Sequence, residues 1–225
     1  VAINGTDGLQ KLVAKLDSAN HGDSLYTSDI YLGNPPQKLR ALFDTGSQNT
    51  WVLSRSLNLP KNGMFHNYYD QSLSKTATNM SILKPYVVGT GKLTGHFITD
   101  DLRIGLDDDN VNNVGGNSLT WTSAKNSTNP LLIPNYHIGI VDSQEGIFEK
   151  FNVDAIVGRL TTTIRSELNF PKLGYREKGV DEQYFRVLYT SNQQAKENNL
   201  TSEMTFGYYD KTKFKGELMW YPVDY

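Results

Sequence analysis

From Leu25 onward, apolar and polar positions alternate along much of the chain. Tyr26-Thr-Ser-Asp-Ile-Tyr-Leu-Gly33 has the period of a strand with one buried face, and Gly33-Asn-Pro-Pro36 supplies the chemistry of a turn. Lys38 to Asp44 predicts the next strand, and Trp51-Val52-Leu53 a further buried run. Ser81 to Gly105 predicts a hairpin, with Ile82 to Val88 as one arm and Leu93 to Ile104 as the other. Its tip is Gly89-Thr90-Gly91, where glycine suits positive φ. Tyr136 to Val141, Val153 to Gly158, Tyr184 to Tyr189 and Glu203 to Gly207 read as later strands, and Phe214 to Glu217 and Leu218 to Val223 complete the chain.

Three stretches break this pattern. Leu9, Leu12, Val13 and Leu16 stand at helical spacing, which fits either a short surface helix or the remnant of a propeptide. Pro171 and Gly179 bracket a second short helix, since proline suits a first helical turn and glycine the position after the last. Asp107 to Pro134 is rich in Asp, Asn, Ser, Gly and Thr and reads as an inserted surface loop. The class that results is mainly β with one or two short helices.

The chemistry concentrates in Ala41-Leu-Phe-Asp-Thr-Gly-Ser-Gln-Asn-Thr-Trp-Val-Leu-Ser54. One apolar run ends in Asp44, and a second begins at Trp51. Between them lie Thr45, Gly46 and Ser47. Two buried strands joined by a turn would hold the Asp44 carboxylate at the tip. Gly46 lets backbone approach a ligand, and the hydroxyls and N–H groups can hydrogen-bond the carboxylate. An Asp-x-Gly turn is common between strands, so the flanking residues must decide its meaning.

Composition narrows the choices. The 225 residues carry 22 basic and 24 acidic side chains, a net charge of −2. No basic block supports a nucleic-acid partner, and no apolar run approaches the ~20 residues that span a bilayer. There is no cysteine, which removes disulfides, zinc thiolates and cysteine nucleophiles. His21, His66, His96 and His137 show no metal spacing. Asp107-Asp108-Asp109 lacks the ligand spacing of a calcium loop and reads as a solvated acidic turn. No metal or cofactor is implied. Four Asn-x-Ser/Thr sequons begin at Asn4, Asn79, Asn126 and Asn199, the candidate glycosylation sites.

With Ser24 to Gln37 upstream, Phe43-Asp-Thr-Gly-Ser47 and Asn49 to Ser54 in register, the block resembles the pepsin-like aspartic peptidases. The resemblance implies an acid-protease barrel lobe. It makes Asp44 one half of a catalytic dyad, with Thr45 and Gly46 shaping its loop and Ser47 hydrogen-bonding it. The hairpin looks like the family's flap, so Val88, Gly89, Thr90 and Gly91 would meet substrate backbone. The family has tyrosine where this chain has Val88. Tyr86 lies two residues earlier on the same strand face, and the tyrosine's role does not transfer to it residue for residue. Ile156-Val157-Gly158 fits a family segment beside the catalytic loop, with Ala155 and Arg159 departing from its pattern.

A pepsin-like enzyme needs a second Asp-Thr/Ser-Gly, and none is present. Thr6-Asp7-Gly8 has the wrong order, and Asp154-Ala155-Ile156 lacks the glycine. The expected division is an extension or propeptide remnant over 1–20, an amino-terminal lobe over 21–200, and the start of a second lobe over 201–225. The function expected is an aspartic endopeptidase acting on peptide or protein substrate once a second lobe, in the same or a separate chain, completes it. Two rivals are a one-lobe peptidase that dimerises to pair two copies of Asp44, and an inactive pseudo-peptidase serving as a binding or structural glycoprotein. With the sequons, the resemblance places the protein in the secretory pathway, either in a lysosome- or vacuole-like acidic compartment or outside the cell.

Overall fold

A computed structural model describes residues 12–18, 25–47, 49–57, 59, 65–82, 85–88, 91–104, 111–113, 119–121, 131–146, 148, 151–158, 185–191, 197, 202–206 and 211–221. Its strands are β1 (Leu12–Ser18), β2 (Tyr26–Leu32), β3 (Gln37–Phe43), β4 (Trp51–Leu53), β5 (Thr78–Ile82), β6 (Tyr86–Val88), β7 (Gly91–Ile104), β8 (Val111–Asn113), β9 (Leu119–Trp121), β10 (Leu131–Glu145), β11 (Ala155–Val157), β12 (Phe185–Leu188) and β13 (Ser202–Phe206). Two three-residue 3-10 turns, Gln71–Leu73 and Lys211–Lys213, are also described.

One sheet runs β12-β13-β1-β2-β3-β11-β4-β10-β7-β5, with β6 paired to β7 beside this path. β7 also returns to β2, matching Ile30 with Ile104 and Leu32 with Leu102. That pairing closes β2, β3, β11, β4, β10 and β7 into a ring. Closure leaves no free edge among these six strands. Alternation fills the interior. Ile30 and Leu32 of β2, Leu39, Ala41 and Phe43 of β3, and Ile98, Leu102 and Ile104 of β7 share one buried cluster. The central strands bury both faces. Val52, Ala155 and Val157 join that cluster, while Trp51, Leu53 and Ile156 join a second one with Leu93 and Phe148.

A carboxylate occupies one inward position. Asp100 follows Ile98 and precedes Leu102 in the β7 alternation and is fully buried. It accepts from the Tyr69 hydroxyl at 2.5 Å, Thr76 Oγ1 at 2.5 Å, Ser74 Oγ at 3.1 Å and the Asp101 N–H at 2.8 Å. Four donors satisfy the oxygens that burial removes from water. Burial, with the Asp100 hydrogen bond second, pushes the Tyr69 phenol well above its ordinary range. The network ties the 69–76 segment to β7.

The helix expected near the N-terminus is a strand. β1 pairs with β13 over Leu12↔Phe206 to Leu16↔Ser202 and with β2 at Asp17↔Thr27 and Ser18↔Tyr26. Leu12, Ala14 and Leu16 also satisfy a period of two, and long-range pairing decides between the two periods. The loop expected over 107–134 is shorter at its far end. β10 begins at Leu131, because Leu131, Leu132 and Ile133 pair with Ile104, Arg103 and Leu102. Pro134 falls at the register shift between Ile133 and Tyr136, a place where a strand tolerates proline. β8 and β9 form a separate two-stranded pair within the same stretch. The helix expected between Pro171 and Gly179 and the Asp107–Asp109 turn lie outside the described residues.

Candidate active site

β3, β11 and β4 build the site together. β11 lies between the other two strands, parallel to β3 through Val157↔Phe43 and antiparallel to β4 through Ala155↔Val52. β3 therefore ends beside a strand that continues in its own direction. There the Asp44 N–H donates to the Val157 carbonyl at 2.9 Å. The chain leaves the sheet at Asp44 and returns at Trp51.

The turn holds its own carboxylate. The Gly46 N–H donates to Asp44 Oδ1 at 2.9 Å, the Ser47 hydroxyl donates to Asp44 Oδ2, and the Ser47 N–H donates to the Asp44 carbonyl at 3.3 Å. Both carboxylate oxygens are engaged, so the group's orientation is set before any ligand arrives. Asp44 and Ser47 are half-buried, and Thr45 and Gly46 are exposed. A cleft of about 400 Å³ opens beside them, lined by Leu25, Tyr26, Leu42, Asp44, Thr45 and Tyr189 among others. The acid is reachable, and the cleft beside it mixes apolar side chains with the polar groups of Tyr26, Thr45 and Tyr189.

Gly158 supports the turn from behind. A Cβ at this position would lie 2.3 Å from the Asn49 carbonyl oxygen and 2.5 Å from that of Ser47. Only glycine lets β11 run this close under the 44–50 turn. The sequence carries this residue as the end of an apolar run, and the spacing alone does not show what it presses against.

The hairpin forms, but Gly91, expected at its tip, is drawn into β7, and Ile82, expected in its first arm, ends the separate strand β5. Tyr86, Val87 and Val88 pair with Leu93, Lys92 and Gly91. Val88 belongs to β6, Gly91 opens β7 and is buried, and Gly89 and Thr90 lie outside the described residues. Tyr86 faces Trp51, with ring centres 5.3 Å apart, and Phe97 completes the group at 5.7 Å from Trp51 and 6.2 Å from Tyr86. Trp51 is 2% exposed. It sits over Gly139, where a Cβ would come within 2.4 Å of the indole Cε3. An aromatic contact between hairpin and sheet is therefore present, made from two residues before Val88.

Asp154, the other acid near this region, has a different task. It is buried and accepts from the Arg40 N–H at 2.8 Å, the Asn67 N–H at 2.9 Å and the Asn67 side chain at 3.3 Å. His66 Nδ1 lies 3.6 Å from its Oδ1. These bonds fasten β3 and the 66–67 segment to the start of β11. Among the described residues no cluster of three or more His, Asp or Glu side chains could hold a metal ion. No described helix is long and apolar enough to cross a membrane.

A carboxylate fixed by its own turn at the end of one barrel strand has counterparts among known proteins. A family model for eukaryotic aspartyl proteases matches residues 25–225. Chymosin from Camelus dromedarius is 29% identical over 218 residues, covering 94% of this chain and 48% of chymosin. Gastricsin from Mus musculus is 28% identical over 203 residues, covering 89% of this chain and 45% of gastricsin. Aspartic proteinase A3 from Arabidopsis thaliana is 37% identical over 86 residues, covering 38% of this chain and 17% of that protein. The chain belongs to the eukaryotic aspartyl protease family, and its fold is that of a pepsin-like lobe. It spans about half the length of chymosin and gastricsin.

Proposed function

We propose that this chain supplies one lobe, and one catalytic carboxylate, of an aspartic endopeptidase. The observation that carries the reading is the Asp44 turn: an accessible carboxylate with Gly46 and Ser47 donating to its two oxygens, at the mouth of a cleft of mixed polar and apolar lining. Thr45, Gly46 and Ser47 hold its geometry, and the hairpin around Val88, Gly89, Thr90 and Gly91 lies over a bound peptide.

The chemistry needs a second carboxylate. Two carboxylates within hydrogen-bond reach share one proton, because both cannot ionise cheaply side by side; aspartic proteases are the standing example. The ionised member takes a proton from a water, which adds to the peptide carbonyl carbon. The protonated member gives its proton to the carbonyl oxygen. Collapse of the resulting gem-diol breaks the C–N bond as nitrogen is protonated. Asp44 fills one place, and a second lobe, from a longer chain or a separate one, fills the other. In this reading 21–200 is the catalytic lobe and 201–225 leads toward its companion, with 1–20 preceding the lobe.

A dyad of this kind works in acid. A secretory route ending in an acidic compartment or outside the cell suits both that chemistry and the sequons. The test is cleavage of an unfolded protein substrate at acid pH by the protein carrying both lobes. Cleavage that depends on Asp44 supports the reading, and a protein that binds peptide without cleaving it favours the non-catalytic alternative.

A further inference from the structure

β5 is the outer edge of the sheet, pairing inward with β7 and with no strand beyond it among the described residues. Such an edge invites pairing with another chain unless it is charged, interrupted by proline, bent or covered. Its sequence, Thr78-Asn-Met-Ser-Ile82, has neither a charge nor a proline. Met80 is 48% exposed on it. A register shift between Asn79 and Ser81 bends it locally but does not cover it.

Asn79 opens the sequon Asn79-Met80-Ser81 and alone among the four sequon asparagines falls within the described residues. It is exposed, and its carboxamide is held in one direction. Oδ1 accepts from Gln71 Nε2 at 2.6 Å, while Nδ2 has no hydrogen-bond partner among the described residues. The nitrogen is the atom that a glycan would occupy. The oxygen, which a glycan leaves in place, is the atom that the protein uses.

We infer that Asn79 carries an N-linked oligosaccharide, which covers the free edge of β5. The donor class is an oligosaccharide on a polyprenyl diphosphate. Nδ2 bonds to the anomeric carbon as the carbon–oxygen bond to diphosphate breaks, and one amide proton is lost, with no change of oxidation state. The product keeps one N–H and the carbonyl oxygen, so the Gln71 hydrogen bond survives. A bulky, hydrated group then stands where a foreign strand would dock.

This inference rests on the secretory route proposed above, and its test separates the two. The full-length protein, purified from a eukaryotic secretory host, is digested, and the peptides bearing Asn4, Asn79, Asn126 and Asn199 are weighed before and after amidase release of sugar. The Asn79 peptide is expected to carry a glycan and to return as aspartate after release. Asn79→Gln and Ser81→Ala should each lose that one glycan and self-associate at lower concentration than the unaltered protein. A bare Asn79 peptide beside glycosylated Asn4, Asn126 or Asn199 overturns this inference alone. Four bare sequons overturn it together with the secretory route. Glycan loss without any change in self-association overturns the edge-covering role.

Discussion

The Tyr86 and Trp51 rings stand 5.3 Å apart, joining β6, whose one pairing among the described residues is with β7, to a strand fixed between β10 and β11. Trp51 is almost wholly buried, and its indole N–H has no hydrogen-bond partner among the described residues. Tyr86 therefore shields a tryptophan that the rest of the barrel already packs on its other side. In a background of Trp121→Phe and Trp220→Phe, Tyr86→Ala should make Trp51 several-fold more sensitive to acrylamide quenching. Tyr86→Phe should keep most of the protection. The stability cost should be about 1 kcal/mol, the scale of one aromatic pair, because Tyr86 is 38% exposed. Equal quenching in all three proteins would show that the contact does not shield Trp51.

Gly158 gives a sharper structural prediction. Gly158→Ala places a methyl group 2.3 Å from the Asn49 carbonyl oxygen and 2.5 Å from that of Ser47, and neither backbone atom can rotate away. The turn that holds Asp44 must shift, at a cost of roughly 1–3 kcal/mol by comparison with other overpacked sites. Urea unfolding reads the stability loss. Any peptidase activity should fall with it, even in protein that remains folded.

The buried Asp100 network predicts an asymmetry between variants. Tyr69→Phe removes one donor and leaves a buried carboxylate with three, which should cost about 1–3 kcal/mol. Asp100→Ala removes the shared acceptor of the Tyr69, Ser74 and Thr76 hydroxyls at once and should cost more than Tyr69→Phe. Chemical denaturation of the two single variants checks the order. A larger loss for Tyr69→Phe would mean that Tyr69 contributes mainly by packing.

Asp70 predicts a dependence on pH. The Ser72 hydroxyl does most to hold its carboxyl below the ordinary range, against burial as the second-largest effect, and the Ser72 N–H and Arg55 add smaller lowering effects. A carboxylate with a lowered folded-state value stabilises the fold above the unfolded-state value, near pH ~4. That contribution disappears as pH falls through the lowered value. Asp70 also caps the 71–73 turn through the Ser72 N–H at 3.0 Å. Asp70→Asn should thus cost up to about 1 kcal/mol at neutral pH and progressively less below pH ~4. Melting curves from neutral to acid pH check the convergence.

The sequence makes the barrel legible where burial is one-sided or complete. Leu39, Ala41 and Phe43 alternate into the core, and Trp51-Val52-Leu53 reads as a buried run because both of its faces are covered. The hairpin of β6 and β7 is legible because turn residues separate two strand-like arms. The Asp44 turn is legible because its own neighbours bond the carboxylate. β1 is not, because Leu12, Val13 and Leu16 satisfy a helical period as well, and the partner that selects a strand is β13, almost two hundred residues away. Gly158 and Tyr86 stand out in the sequence as positions, but their contacts do not, for the same reason. Their importance lies in what approaches them across the sheet, which spacing along the chain does not encode.

The proposal that Asp44 is half of a proton-sharing pair is tested most directly by its isosteric replacement. The two-lobe protein and its Asp44→Asn variant are compared for cleavage of an unfolded protein substrate at acid pH, with matched melting temperatures as the control for folding. The amide keeps the acceptor that faces the Gly46 N–H but cannot carry the shared proton. The proposal predicts that cleavage is lost by at least about a thousandfold, the scale of removing an essential catalytic group. Undiminished cleavage by a folded Asp44→Asn variant would contradict it.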